Sequence, residues 1–267
     1  MKRAFVTLDV GNSSCKLCLW ALGERGALEL RERWRHALDD ELIAALSDHL
    51  SRLDADGAAL SCVAAKPVEQ RVGEALERRF GERAQRAPSC GLAIECREPE
   101  AVGSDRLFAA RGAFEVAGRS AVVLDAGTAL TVDALRVEDG QASFCGGAIA
   151  PGPVLLARAL SAGTARLPLV DLAPGAAAVG LDTRGAIVSG VVHGFRGAAR
   201  ELVLRVREEA RLGAAPLVAT GGASDLLFDP PLFDAHTTQR EPDLVHLGLL
   251  CALLDDGARA ARHGLRR

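Results

Sequence analysis

No stretch of the 267-residue sequence reaches the roughly 18–20 consecutive apolar residues needed to cross a bilayer. The opening Met1-Lys2-Arg3, followed by AFVTL, imitates the start of a secretory leader, but Asp9 and Asn12 interrupt it before an apolar segment forms. The chain therefore reads as cytoplasmic, with no membrane partner. Positive charge is not in excess either: 32 Lys and Arg stand against 35 Asp and Glu, a net charge of −3. A nucleic-acid surface needs a basic stripe, and the arginines are scattered apart from a short basic end at Arg262, Arg266 and Arg267, so no nucleic-acid partner is expected. The seven cysteines are odd in number and follow no leader, which argues against a disulfide framework. Cys15 and Cys18 form a single C-x-x-C without the second pair or the nearby histidines that a structural zinc site requires, and in a strand residues three apart point to opposite faces. Two common nucleotide signatures are missing as well. There is no G-x-x-x-x-G-K-[ST], and no G-x-G-x-x-G follows a strand.

What remains is an ordinary globular balance of 49% apolar and 25% charged residues. The length allows two modest domains or one large one. AFVTLDV (4–10) reads as a buried strand ending at an acid, GNSS as a turn, and CKLCLWAL (15–22) as the returning strand. Leu42, Ile43, Leu46, Leu50 and Leu53 carry helical spacing over about 39–53. A strand follows at 59–65, a helix opened by Pro67 runs to about Phe80, a strand occupies 92–96 and a helix runs from Ser104 to near Gly118. The second half begins again in the same manner. SAVVLDAG (120–127) is a buried strand ending at an acid and a glycine, TALTVDALRV (128–137) returns, and a third strand covers 141–149. Helices at about 151–162 and 183–211, a strand at 216–220 and a helix at 242–262 complete the reading. The strand–acid–glycine–hydroxyl pattern thus occurs at Asp9 and again about half a chain later at Asp125. The expectation is an α/β protein of two similar lobes, 1–117 and 118–267, each a mixed sheet flanked by helices, with a cleft between them.

The chemistry is concentrated at these turns. Asp9-Val10-Gly11-Asn12-Ser13-Ser14-Cys15-Lys16 places a carboxylate at the inner end of a buried strand, which is costly unless it is paired or bound to a cation. Gly11 permits close backbone approach, the turn offers N–H groups to an anion, and Lys16 adds a point charge for phosphate. A carboxylate in such a place suits Mg²⁺ held through water. Taken alone, this is more simply a polar hairpin. A second acid turn, Asp125-Ala126-Gly127-Thr128, in the matching place of the other half shifts the balance towards gripping a triphosphate from two sides. Gly103-Ser104-Asp105-Arg106 opens a helix. Ser104 and Asp105 either cap it and complement its dipole, or Asp105 faces a hydroxyl as its base and Arg106 forks onto a polar substrate group. Gly146 to Gly152 and Thr220-Gly221-Gly222 permit close ligand approach but are each compatible with plain turns.

Together, DVGNS (9–13), PEAVGSDR (99–106), DAGTALT (125–131), GGAIAPG (146–152), TARLP (164–168), GLDTRGAIVSG (180–190) and TGG (220–222) follow one another in the order of a known family. The chain resembles the type III pantothenate kinases of the acetate and sugar kinase/Hsp70/actin superfamily. The resemblance implies two RNase H-like lobes and ATP-dependent phosphorylation of pantothenate to 4'-phosphopantothenate, the first step towards coenzyme A. It implies that residues 9–16 form the ATP phosphate loop, that Thr128 contacts ATP, and that Gly221 and Gly222 lie against the adenosine. Gly103 to Arg106 and Thr183 would contact pantothenate, with Asp105 as proton acceptor. Asp125 would hold a monovalent cation, K⁺ or NH₄⁺, beside Mg²⁺ or a similar divalent ion accompanying ATP, and the protein would be a homodimer. One departure stands out: the family's usual tyrosine before P-x-x-V-G is Cys96 here, and the chain has no tyrosine at all. Two other classes share the superfamily's pattern, a non-catalytic nucleotide-binding regulator and a phosphohydrolase.

Overall fold

The computed structural model describes residues 3–23 and 26–264, with side chains as far as Asp255. Met1, Lys2 and the basic end at Arg262, Arg266 and Arg267 lie outside those side chains. The chain forms two compact units. The first holds the residues up to Leu92, Glu100–Glu115 and Leu244 onward, and the second holds Ala93–Pro99 and Val116–Asp243. The units are therefore not consecutive halves divided at residue 117.

In the first unit, β1 (Arg3–Val10) pairs antiparallel with β2 (Ser14–Leu22), which pairs antiparallel with β3 (Leu28–Ala37). On its other side β1 runs parallel to β4 (Gly57–Cys62), and β4 to β5 (Ala84–Arg86), giving the order β3-β2-β1-β4-β5. A strand hydrogen-bonded on both edges and covered on both faces reads as a continuous apolar run, as FVTLDV does. Val6, Leu8 and Val10 point into a core closed by α1 (Leu42–Arg52) and α2 (Lys66–Phe80), through Leu42, Leu46, Leu50, Val72 and Leu76. β3 was absent from the sequence reading. It is an edge strand whose Glu29, Arg31, Arg33 and Arg35 are exposed, the charged guard that keeps a sheet edge from pairing with another chain.

The opposite face of β1 carries Phe5, Thr7 and Asp9 and receives α7 (Leu244–Gly264). The Trp20 indole N–H donates to Thr7 Oγ1 (2.9 Å), and Thr7 Oγ1 lies 3.0 Å from His246 Nδ1. The hydroxyl oxygen thus accepts from Trp20 and shares a proton with His246 Nδ1, in a direction set by the ring tautomer. Beside it α7 crosses α3 (Ser104–Ala117) at two glycines. A β carbon on Gly112 would collide with the Leu244 carbonyl, and one on Gly248 with the Phe108 carbonyl. The guanidinium of Arg111, on α3, then reaches Glu115 (2.6 Å) and Asp255 (2.9 Å), tying the same two helices.

The second unit repeats the pattern. β7 (Ala121–Ala126) pairs antiparallel with β8 (Ala129–Glu138), and β8 with β9 (Gln141–Pro151). β7 runs parallel to β10 (Leu217–Thr220), and β10 to β11 (Thr238–Arg240). The order β9-β8-β7-β10-β11 matches that of the first sheet strand for strand, with β6 (Ala93–Ile94) added parallel to β9. The long helix α5 (Thr183–Glu209) lays Val192, Phe195, Ala199 and Val203 into this sheet's core, and α4 (Pro153–Ala162) packs on α5. A short helix, α6 (Asp225–Phe228), follows β10. Both sheets are mixed and flanked by helices, the α/β class that the sequence indicated.

The glycine crossing makes a checkable claim. Gly248→Ala is expected to lower stability by about 1–3 kcal/mol, because backbone must move to admit a methyl group. Gly197 lies exposed in α5 with nothing within 4 Å of an added β carbon, so Gly197→Ala is expected to raise stability by about 0.5–1 kcal/mol. Urea unfolding midpoints that move in opposite directions would bear this out; equal shifts would show that the crossing yields.

Candidate functional site

In the first unit the site begins with the β1–β2 turn. Asp9 is opposite Lys16 and Val10 opposite Cys15 in the ladder, and the Gly11 N–H donates to Ser14 O (3.1 Å) to close the turn. That donor serves the turn and not a ligand. Asn12 and Ser13 form its exposed tip. Val10 and Cys15 are wholly buried, so only their main chain can border a ligand. Burial, with the charge of Asp9 and the neighbouring Cys62, pushes the Cys15 thiol up to about 12, which leaves it a core-filling group.

Asp9 itself is 6% exposed. Its Oδ2 lies 3.5 Å from Lys16 Nζ, and its Oδ1 has no hydrogen-bond partner. A buried carboxylate oxygen is normally matched, because leaving it bare costs its desolvation energy. Oxygen donors of this kind suit a hard cation such as Mg²⁺, which prefers one or two carboxylates, water and substrate phosphates to an all-protein cage. The bare Oδ1 of Asp9 is a donor of that kind, and among the described residues no group of three or more His, Cys, Asp or Glu gathers for a metal.

Asp9 is also the parallel neighbour of Ser61 on β4, and Ser61 Oγ shares a 2.9 Å hydrogen bond with Ser104 Oγ at the start of α3. The Ser104 hydroxyl, 3.5 Å from Cys62 O, thus pins the helix start to the end of β4. The next residue, Asp105, accepts the Arg106 N–H through Oδ1 (2.8 Å). Burial first, and then the charge of Asp9, raise the Asp105 carboxyl above the ordinary range, against the lowering influence of the Arg106 N–H. Gly103 belongs to the same device: a β carbon there would stand 2.6 Å from Asp105 Oδ1. Asp9, Lys16, Ser104 and Asp105 are therefore gathered at one end of one sheet. Ser61 was missed by the sequence reading; a buried serine at the end of the strand LSC was its only signal.

In the second unit the Gly127 N–H donates to Ala129 O (2.9 Å), closing a tight turn that exposes Thr128. The glycine segments converge on it. The Gly152 N–H donates to Thr128 O (3.0 Å), and a side chain at 152 would strike the Gly127 and Thr128 carbonyls. Thr220 is the parallel neighbour of Asp125, as Ser61 is of Asp9. Gly221, at φ +100°, lies so close to Ala126 and the Asp125 carboxylate that a β carbon would overlap both, and the Ala223 N–H donates to Ala126 O (2.8 Å). The half-buried Asp125 carboxylate thus has the α carbon of Gly221 against it, with that of Gly127 nearby. Gly222 differs, being exposed with nothing within 4 Å of an added β carbon.

Two candidate substrate residues stand apart from these turns. Cys96 borders Gly146, whose β carbon would lie 3.7 Å from Cys96 Sγ. Thr183 is the first residue of α5, exposed, after the cap in which Asp182 Oδ1 accepts the Gly185 N–H (2.7 Å). Both belong to the second unit, whereas Gly103 to Arg106 belong to the first.

Comparison with known proteins gives this arrangement a family. The family model described as type III pantothenate kinase matches residues 5–205. A type III pantothenate kinase of Thermus thermophilus is 36% identical over 260 residues, covering 94% of this chain and 99% of the relative. One from Endomicrobium trichonymphae is 31% identical over 238 residues, covering 84% and 90%. Among solved structures, a glucokinase from an Antarctic psychrotroph superimposes with a TM-score of 0.51 at 12% identity, covering 94% of this chain and 99% of that one, a likeness of fold alone. With its paired acid turns, its G-S-D-R helix start and its converging glycines in the family's order, this chain belongs to the type III pantothenate kinases.

Proposed function

We propose that the protein phosphorylates pantothenate to 4'-phosphopantothenate with ATP, the step that opens coenzyme A synthesis, by direct in-line transfer. The observation that carries the mechanism is Asp105. Its carboxyl is held by a backbone N–H at a helix start and raised by burial and by Asp9. A base poised closer to neutrality is the better partner for an alcohol proton. In the transfer the substrate hydroxyl oxygen bonds to the γ-phosphorus, the bond from that phosphorus to the bridging oxygen of ADP breaks, and the hydroxyl proton passes to Asp105. Such transition states are loose, so positioning and charge neutralisation dominate. Lys16 and the turn at 11–14 hold phosphate oxygens, Thr128 adds a donor, and Gly221 and Gly222 take the adenosine. Gly103, Ser104, Arg106, Thr183 and Cys96 receive pantothenate. Asp9 would hold a divalent ion, which when bound would supply charge neutralisation at the phosphates.

Asp125 is assigned to a monovalent cation, K⁺ or NH₄⁺; the closely wrapped carboxylate supports this, since a fixed oxygen donor suits a weakly hydrated ion. The homodimer assignment is supported by the exposed apolar residues of one stretch, Ile149, Val154, Leu155, Leu160, Leu169, Val179 and Leu181, the last of these 96% exposed. Surfaces of this kind mark contacts with a partner. None of the described helices is long and apolar enough to cross a membrane.

Asp105→Asn is expected to cut kcat by about 10²–10⁴-fold while ATP still binds, and to remove the acidic limb of kcat/KM. In the unaltered protein that limb should lie above the ordinary aspartate range, because the raised acid must lose its proton before it can accept one. Gly103→Ala, which displaces the same carboxylate, should lower kcat without changing the melting temperature. ADP release assayed with and without pantothenate checks both variants; near-normal turnover in Asp105→Asn would remove it from the mechanism. Asp125→Ala should abolish turnover or raise the K⁺ concentration required, and an unchanged potassium titration contradicts its assignment. Leu181→Asp combined with Val179→Asp should convert a dimer to a monomer in sedimentation velocity, whereas an unaffected dimer would place the interface elsewhere.

A further inference from the structure

The second unit holds an arginine whose plane is fixed in a way that surface charge does not require. Arg240 lies opposite Ala219 in the β10–β11 ladder, and the next residue ties the strands again as the Glu241 N–H donates to Ala219 O (2.9 Å). The side chain therefore starts beside the strand end from which Thr220-Gly221-Gly222 emerges. It then reaches the far side of that loop, where Nη2 donates to Asp225 Oδ1 (2.7 Å) and to Ser224 Oγ (3.3 Å). Its guanidinium carbon sits 4.8 Å above the Phe228 ring, and Phe228 leans on Phe233 with centroids 6.1 Å apart. A carboxylate, a hydroxyl and a ring together fix the plane as well as the position of the guanidinium. The side chain is nevertheless 47% exposed, which leaves part of its surface accessible to a ligand. An exposed ion pair by itself stabilises little and has no need of a plane. Because Asp225 already neutralises the charge, the group is poorly suited to gripping phosphate but well suited to stacking, which uses the flat face.

We propose that the face of Arg240 away from Phe228 is the platform on which the adenine of ATP stacks, with Phe228 backing the platform from behind. The proposal rests on the assignment of Gly221 and Gly222 to the adenosine and adds to it the residue that holds the base. Gly222, exposed and without close neighbours, is the adjacent stretch of backbone that a nucleoside can approach.

Isothermal titration of the full chain with Mg·ADP, and separately with magnesium tripolyphosphate, tests this in Arg240→Ala, Arg240→Lys and Gly222→Val. Both arginine variants are expected to weaken ADP by about tenfold, the scale of one base stack, while tripolyphosphate binding stays within about twofold. Lysine keeps the charge and a reach to Asp225 but lacks the plane, so it remains informative if the alanine variant folds poorly. ADP affinity equal to wild type in Arg240→Lys overturns the stack, and so does an equal loss for ADP and tripolyphosphate, which would mean that the arginine serves phosphates. Gly222→Val separates the two readings. Weaker ADP binding there with unaffected arginine variants removes Arg240 alone, whereas unchanged ADP binding in Gly222→Val removes the adenosine assignment itself.

Discussion

The carboxylate of Asp9 sits near the end of a strand bonded on both edges, with one oxygen 3.5 Å from Lys16 and the other without a partner. A buried charge left half matched costs free energy, and a fold retains it only where something else compensates or where a ligand completes it. Much of the first unit is arranged around this group. Its field helps to raise Asp105, its neighbour in the ladder is Ser61, and Ser61 holds the helix start that carries Asp105. The interaction between two acids, one buried in the sheet and one at a helix start, is thus set by strand register and not by a flexible loop. Groups placed this way lose little entropy when they act, which is the condition for catalysis by positioning.

The second unit treats its own acid differently, although the topology is the same. β7, β8, β9, β10 and β11 reproduce the order and directions of β1, β2, β3, β4 and β5. Asp125 and Thr220 occupy the places of Asp9 and Ser61. Asp9 has a lysine beside it, and around Asp125 glycine backbone comes close: a β carbon on Gly221 or Gly127 would meet its Oδ1, and Gly152 backs the turn. One scaffold therefore places its two acids differently in the ladder, one opposite a lysine and one opposite a threonine beside close-approaching glycines.

The recurring acid turn was legible in the sequence because it rests on local chemistry: an apolar run, a carboxylate, a glycine and a hydroxyl residue, then a returning strand. The helices with leucines at regular spacing were legible for the same reason. β3 was not, because an edge strand is half solvated and its charged residues hide the alternation of Leu28, Leu30, Trp34 and His36. The glycine segments were visible but uninterpretable singly. Gly152 and Gly221 are required by a turn that lies 24 to 96 residues away in the chain, a relation that only the sheet order reveals. Gly222, by contrast, is not required by packing at all, and that contrast within one dipeptide could not be read from the letters.

The last helix shows how far a site's environment can depend on distant sequence. Its apolar spacing announces a helix but not which sheet it covers, since either sheet offers an apolar face. The choice is made by shape and by one polar chain. Gly248 and Gly112 allow α7 and α3 to meet at backbone distance, and His246 Nδ1 supplies a second hydrogen-bond partner for the Thr7 hydroxyl beside the Trp20 indole. A helix presenting a larger residue at 248, or no polar group at 246, would take from the buried Thr7 hydroxyl its contact with α7 and leave it only the Trp20 indole. Asp9 follows Thr7 on the same face of β1. The face that carries the carboxylate is therefore closed only when residues nearly 240 positions further along have docked. The electrostatics of the first turn are in this sense a property of the whole first unit, assembled from both ends of the chain.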